Sequence, residues 1–327
     1  MPANLTPEYF KAEKWFRSAG TNDEKILALE HMLRVMPKHK GTDHLRADLR
    51  RKLSKLRDTD AQKGRARHVD VFHVPRSGSG QVSLLGMPNC GKSSIVAALT
   101  NAKVNVADFP FATTAPVPGM VLFEDVQIQL VDSPPITAAY VAPGQVGTYR
   151  NCDLIGIVID LSADAQEQIG VCLDFLESRN LLITGETPAV DGQGNALAKK
   201  AFCICTKSDI ARPEAFEAVK NSPRLPFESV QVSTETGTGI QELPALFFKL
   251  LDIIRIYAKP PGKPADMKDP FTLPAGSTVM DLAMAIHRQL AEKLRFARIW
   301  GTGVYDGQNT QRNHVLNDKD IIELHFS

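Results

Sequence analysis

Residues 86–94 read Gly-Met-Pro-Asn-Cys-Gly-Lys-Ser-Ser, and the spacing G-x-x-x-x-G-K-S within them decides the fold. Working outward, Val82-Ser83-Leu84-Leu85 before it reads as a buried strand, and Ser94 to Leu99 after it reads as a helix. A glycine-rich turn between strand and helix lets backbone N–H groups converge on an anion at the helix N-terminus, where the helix dipole also favours negative charge. The candidate phosphate-binding set is therefore Gly86, Pro88, Asn89, Cys90, Gly91, Lys92, Ser93 and Ser94. Lys92 is placed to reach the β- and γ-phosphates of a nucleotide, and the Ser93 hydroxyl to ligate Mg²⁺.

At 327 residues the chain is too long for one ordinary domain. It is 43% apolar and 23% charged, with a formal net charge of +1. No stretch approaches the ~18 apolar residues of a membrane span, and Met1 to Gly20 lacks the apolar core of a signal peptide. The five cysteines (Cys90, Cys152, Cys172, Cys203, Cys205) show no C-x-x-C spacing and lie in or beside apolar segments. Small core residues in a reduced, cytoplasmic protein are expected to look this way. The near-neutral total hides an asymmetry: residues 1–76 hold 17 Lys+Arg against 10 Asp+Glu, and the rest is mildly acidic. A basic arm suggests a polyanionic partner, although a solvated helix surface has the same composition.

Three helices are expected at the start. Thr6-Pro7-Glu8 opens the first, and Pro37 stops a second that contains Ile26, Leu29, Leu33 and Met36. The third runs from Thr42 to about Arg57, with Leu45, Leu49, Leu53 and Leu56 on one stripe and Arg46, Arg50, Arg51, Lys52 and Lys55 mostly off it. Such a hairpin is expected to pack on something else. Lys63 to Gly80 reads as a linker with some strand near Val69–Val74. From about 81 to 250, strands (82–86, 120–124, 127–131, 154–160, 201–205, 228–232) alternate with helices (92–100, 165–179, 212–220, 239–251), which argues for a mainly parallel sheet covered on both faces. Thr184–Lys200 reads as a surface loop. Beyond Arg255 the texture changes: a short strand, the loop Lys259–Pro264 and a strand at Pro270–Leu273 precede a capping box at Thr278 to Asp281, which opens a helix with Leu282, Ala285, Ile286 and Leu290 on one face. Strands at Ala297–Trp300 and Ile321–Phe326 complete a small α+β module. The blocks are 1–76, 77–252 and 253–327.

Further signals follow in order. Thr206-Lys207-Ser208-Asp209 comes after the strand Phe202–Cys205, where Asp209 is placed to accept two hydrogen bonds from the N1–H and N2–H₂ edge of guanine and Lys207 to lie along the base. A site built to pair those donors rejects adenine strongly. Ser233-Thr234-Glu235 has the form of a loop whose backbone N–H groups support the guanine carbonyl. Asp132 ends a strand, where its carboxylate can hold the Mg²⁺ shell, and Thr113 lies where a mobile threonine would complete that site.

Together the loop at 86–94, Pro110–Thr113, Thr206–Asp209 and Ser233–Glu235 resemble the Obg-related translation-factor GTPases, in particular the developmentally regulated GTP-binding protein branch. Arg255-Ile256-Tyr257, Lys259-Pro260, Asp281 to His287, Ile299-Trp300-Gly301 and His314-Val315-Leu316 with Asp318 and Asp320 resemble that branch's TGS domain. The resemblance implies a β-grasp TGS fold, a helical N-terminal region, association with ribosomes or RNA, and K⁺ binding through Asn89. It also implies, in many members, a domain inserted in the GTPase domain, for which Leu181–Lys200 leaves no room.

One position departs from the pattern. The branch's D-x-P-G is Asp132-Ser133-Pro134-Pro135 here, and Ile136 follows where a catalytic glutamine usually stands. Proline has no N–H, so Pro135 cannot donate to a γ-phosphate. Losing one preorganised donor typically costs ~3 kcal/mol in rate. Either a neighbouring N–H, such as that of Ile136, serves instead, or GTP binds with hydrolysis impaired. The sequence thus points to a cytoplasmic, Mg²⁺-dependent GTP-binding protein with slow hydrolysis, in which Lys92 and Thr113 carry catalysis, or to a non-hydrolysing adaptor for ribosome or RNA. An accessory protein partner fits either; an ATPase on the same scaffold is a third reading.

Overall fold

The computed structural model describes residues 7–18, 22–36, 42, 45–54, 72–102, 115–142, 144–182 and 199–326. The chain forms two compact units, Met1–Asp70 and Val71–Ser327.

In the first unit, helix α1 spans Pro7–Ser18, α2 spans Asn22–Val35 and α3 covers residues 45–54. Tyr9, Ala12, Leu29, Met32, Met36 and Leu49 are buried together, with Leu45 and Leu53 packed against them. The apolar stripe of α3 is buried inside a three-helix unit with its own core. Leu56 and Lys55 lie outside the described residues, as do 63–71. Phe72 to Val74, expected to carry strand, is irregular; the Thr148 hydroxyl donates to the Phe72 carbonyl at 2.8 Å.

The second unit contains two sheets. In the first, β1 (Gln81–Leu85), β4 (Leu154–Asp160), β5 (Lys200–Thr206) and the short β6 (Ser229–Gln231) run parallel with β3 (Val126–Asp132), and β2 (Val117–Phe123) pairs antiparallel to β3 at the edge, giving the order β2-β3-β1-β4-β5-β6. Every residue of β1 and β4 is buried, as expected of parallel strands covered on both faces. Alternation along β4 divides the core. Ile155, Ile157 and Ile159 join one cluster with Leu173 and Leu176 of α6 (Ala165–Glu177), and Val158 joins the other with Ile95 of α4 (Lys92–Leu99) and Phe247 of α8 (Leu243–Leu251). At Gly156 a Cβ would sit 2.9 Å from Leu84 and 3.1 Å from Phe202, so these two side chains close over the strand only because glycine is there. Helix α5 (Gln145–Asn151) was not expected; α6 is capped by Asp164, which accepts from the N–H groups of Gln166 and Glu167; and α7 spans Pro213–Lys220. Residues 183–198, most of the expected surface loop, lie outside the described residues.

The second sheet has the order β10-β9-β11-β7-β8, built from β7 (Ile253–Ala258), β8 (Phe271–Pro274), β9 (Leu294–Trp300), β10 (Gln308–Thr310) and β11 (Asp320–Phe326). Helix α9 (Val279–Ile286) crosses one face, opened by the expected capping box between Thr278 and Asp281; α10 (Arg288–Ala291) follows. Two expectations are corrected. The inward face of α9 is Val279, Leu282 and Ala283, whereas Ala285 and Ile286 are exposed and the Leu290 side chain lies outside the described set. The module also has a fifth strand, β10, too short for its alternation to register in the sequence.

The two sheets are joined by one buried cation. Arg255 of β7, with a side chain only 3% exposed, forks onto Asp318 (Nε–Oδ1 3.0 Å, Nη2–Oδ2 2.7 Å) and reaches Asp125 at 3.0 Å and also Glu124, the two residues of the β2–β3 turn. Its guanidinium lies 4.8 Å from the Phe248 ring of α8, and the Tyr257 hydroxyl donates to Asp125.

Candidate functional site

The strand β1 delivers the chain to Gly86, where a Cβ would lie 2.6 Å from Cys90 Sγ and 2.7 Å from the Val158 carbonyl, so no side chain fits. The loop then turns through Asn89 (φ 59°) and Gly91 (φ 93°), both in the left-handed region, and α4 begins at Lys92. The expected strand–loop–helix arrangement is present at every position. Lys92 is buried and its ammonium donates to the carbonyls of Gly86 (3.1 Å) and Met87 (2.8 Å), with Cys90 Sγ at 3.5 Å. Among the described residues no carboxylate pairs with it. A cation satisfied by neutral acceptors, next to the first amides of a helix, gives this loop a positive potential suited to phosphate.

The Ser93 hydroxyl donates to Asp132 Oδ2 at 2.7 Å, which brings together the two expected metal-site residues from α4 and the end of β3. An alcohol and a carboxylate oxygen are hard donors of the kind Mg²⁺ takes alongside phosphate oxygens and water, so these residues fit that ion. Thr113, the third expected metal ligand, lies outside the described residues.

After Asp132 the chain is buried from Ser133 through Ile136. The Ile136 N–H, expected as a substitute donor for the one Pro135 lacks, donates instead to the Gly86 carbonyl at 3.1 Å. That expectation is corrected: the amide is committed to the loop's own backbone. The Ile136 side chain lies in the core with Leu85, Tyr149 and Ile157. Gln145, at the start of α5, donates to the Pro134 carbonyl and to the Tyr149 hydroxyl and accepts from the Ala142 N–H, which fastens this segment from behind.

On the other flank, Thr206 at the end of β5 donates to the carbonyls of Cys90 (2.7 Å) and Ile159 (3.2 Å), tying the Thr206–Asp209 segment to the phosphate-binding loop. Lys207 takes φ 56° and its ammonium meets Asp160 Oδ2 at 2.6 Å. Asp160 also accepts from the N–H and hydroxyl of Ser162. The Ser233 hydroxyl donates to Asp209 Oδ1 at 2.6 Å and accepts from the Thr236 N–H, so the two loops expected to hold a base are fastened to each other through the carboxylate that would read it. Asp209, Thr234 and Glu235 are exposed. Gly239 turns this loop back at φ 70°, where a Cβ would meet the Gln231 carbonyl at 2.4 Å.

Asp160 and Gln145 were missed. Asp160 ends an apolar strand as Asp132 does, and that parallel was the available signal. Gln145 carried none, because its role depends on where the chain returns after the two prolines.

Comparison with known proteins agrees with this geometry. Residues 81–184 match the family described as 50S ribosome-binding GTPase, and residues 254–325 match the TGS domain. Sheet order, loop and both matches define the class: a P-loop GTPase domain followed by a TGS domain, with a mostly parallel sheet in the first. Within that class the chain is similar, over most of its length, to proteins named as developmentally regulated or ribosome-interacting GTPases. Developmentally-regulated G-protein 1 of Arabidopsis thaliana is 24% identical over 364 residues, covering 92% of this chain and 90% of that one. An uncharacterized GTP-binding protein of Methanocaldococcus jannaschii is 25% identical over 360 residues, covering 92% of both. Ribosome-interacting GTPase 1 of Saccharomyces cerevisiae is 26% identical over 366 residues, covering 93% of this chain and 99% of its own. Each alignment is longer than this 327-residue chain, so each relative carries residues with no counterpart here.

Proposed function

We propose that this protein is a Mg²⁺-dependent GTP-binding protein that hydrolyses GTP slowly and carries its nucleotide state to a ribosome or RNA partner in the cytoplasm. The observation that carries the reading is the fastening of three loops into one site: Thr206 to the Cys90 carbonyl, and Ser233 to Asp209. In this reading Lys92 and the loop amides hold and stabilise phosphate charge. Ser93 and Thr113 ligate Mg²⁺, supported by Asp132, and the ion offsets charge on the β- and γ-oxygens. Lys207 lies against the base, Asp209 accepts from its N1–H and N2–H₂, and the backbone of Ser233 to Glu235 supports its carbonyl. Asn89, at the exposed lip, is the K⁺ ligand. The basic helices within 1–76, which precede the GTPase block at 77–252 in the sequence, and the TGS block at 253–327, which follows it, are the parts assigned to the partner. An accessory protein partner is compatible with the same surfaces.

Slowness follows from the segment after Asp132. The Ile136 side chain is in the core and cannot orient water, and its N–H is taken by the Gly86 carbonyl. The same observation favours a second reading, a non-hydrolysing adaptor that binds GTP and GDP alike. Single-turnover hydrolysis in K⁺ and in Na⁺, against a Lys92→Ala control, separates the two. Phosphate release above the control supports the GTPase, and release equal to it leaves the adaptor. Competition of ATP with labelled GDP tests the base assignment: displacement by ATP as strong as by GTP contradicts the role of Asp209.

A further inference from the structure

The end of β4 carries a carboxylate that its strand does not need. From Leu154 to Ile159 every residue is apolar and buried, and Asp160 closes the strand with a side chain only 10% exposed. Burying a carboxylate costs desolvation that an apolar residue would avoid, so stability alone does not account for it.

Asp160 is held from several sides. The side-chain amide of Gln168, itself buried, accepts from the Asp160 N–H at 2.9 Å and donates to the Asp160 carbonyl at 2.9 Å. Asp160 Oδ1 accepts from the Ser162 N–H at 2.8 Å and from the Ser162 hydroxyl at 2.6 Å. Oδ2 remains, and it takes the Lys207 ammonium at 2.6 Å. Asp160 lies opposite Thr206 in the β4–β5 register, so the ion pair bridges the ends of neighbouring strands at the edge where parallel sheets bind ligands. The backbone fixes Lys207 as well: it stands at φ 56°, and its carbonyl accepts from the N–H groups of Ile210 and Ala211.

A lysine side chain that is free in solvent loses rotamer freedom when a ligand settles against it, and that cost is subtracted from affinity. Pinned to a rigid carboxylate, Lys207 has already lost that freedom. The carboxylate also offsets the charge of the ammonium, so Lys207 offers a base its held methylene stem more than a net charge. Asp209 is fixed in the same way by Ser233. Both side chains assigned to the base are therefore in place before a ligand arrives, one held by the neighbouring loop and one by β4.

We infer that Asp160 is a positioning residue of the base site: it pins Lys207, and a guanine nucleotide is retained longer because of it. The inference rests on the guanine-nucleotide reading above and assigns the group that makes Lys207 rigid.

Asp160→Asn keeps an acceptor for Ser162 and removes the charge facing Lys207. Release of a fluorescent GDP should be about tenfold faster in this variant, with association within about twofold of the unaltered protein. Lys207→Met should release GDP at least as fast, and the double variant no faster than Lys207→Met alone, because the carboxylate acts through that lysine. The preference for GDP over ADP, assigned to Asp209, should persist in Asp160→Asn. A second readout needs no nucleotide. Acylation of Lys207 by an amine-reactive reagent, followed by mass spectrometry, should be faster in Asp160→Asn and also in Ser162→Ala, which loosens the carboxylate but keeps its charge. Unchanged GDP release in Asp160→Asn, effects that multiply in the double variant, a lost purine preference, or equal labelling of Lys207 in all three proteins would each overturn the inference. Unaltered protein that binds no guanine nucleotide defeats the nucleotide reading and the retention drawn from it, while the labelling still decides whether Asp160 pins Lys207.

Discussion

At the scale of single residues, Asp209 and Ser233 illustrate how little separates a turn from a site. Asp209 is exposed, yet the Ser233 hydroxyl fixes one of its oxygens and leaves the other lone pairs for a ligand. A hydrogen bond to a charged group is worth about 1.5–3 kcal/mol. Ser233→Ala is therefore expected to weaken GDP binding about tenfold by calorimetry, with ATP binding unchanged. Asp209→Ala, which removes the acceptor itself, is expected to cost at least about a hundredfold. Lys92, Ser93 and Asp209 were legible in the sequence because each is tied to a local spacing. Asp160 and Gln145 were not, because their partners, Lys207 and the Pro134 carbonyl, are brought to them only by tertiary structure.

Among the elements, the segment after Asp132 behaves as a strap pinned at both ends, by the Ile136 N–H on Gly86 and by Gln145 on Pro134. Pro135→Gly would restore an N–H and backbone freedom at once. The expected outcome is a GTP-over-GDP preference larger than that of the unaltered protein, together with a loss of about 1 kcal/mol in unfolding free energy. Equal affinities after the change would show that position 135 has no part in sensing phosphate. Strands that are apolar up to their last residue, such as β4, were legible to the residue, bounded by turn signals and rich in β-branched side chains. Helix α5 was not: Gln-Val-Gly-Thr-Tyr-Arg-Asn has a mid-helix glycine and no apolar stripe, and it forms because Tyr149 is buried against Phe175 and Gln145 has partners behind the strap.

For the larger unit as a whole, Arg255 is the fastening between the GTPase sheet and the TGS sheet. The sequence marked it only as part of a resemblance, since its three acidic partners lie 63 to 131 positions away. Hydrogen bonds to Asp318 first, then to Glu124 and Asp125, hold its guanidinium charged against the cost of burial. Arg255→Met removes the buried member of an ion cluster whose carboxylates stay 21–49% exposed, so the expected loss is about 1–2 kcal/mol, measurable by urea unfolding. The partners give the pH sign. Burial pushes Asp318 and Asp125 up, but hydrogen bonds from Arg255, and from Tyr257 to Asp125, outweigh it; Glu124 is lowered chiefly by Arg255. All three thus hold protons less readily folded than unfolded. Their stabilisation is complete above the ordinary carboxylate range of about 4 and fades as pH falls below it. Stability measured between about pH 5 and 2 should accordingly fall more steeply for the unaltered protein than for Arg255→Met, and parallel curves would place the acid sensitivity elsewhere.

The central claim is that the loop around Lys92 and the carboxylate of Asp209 grip one guanine nucleotide together. Titration of ligand-stripped protein with GDP, GTP and ATP in Mg²⁺, repeated on Asp209→Ala, tests it most directly. The account predicts saturable binding of a guanine nucleotide, much weaker ATP binding, and loss of that preference in the variant. Guanine nucleotides that fail to bind at millimolar concentration, or a preference that Asp209→Ala leaves intact, would contradict it.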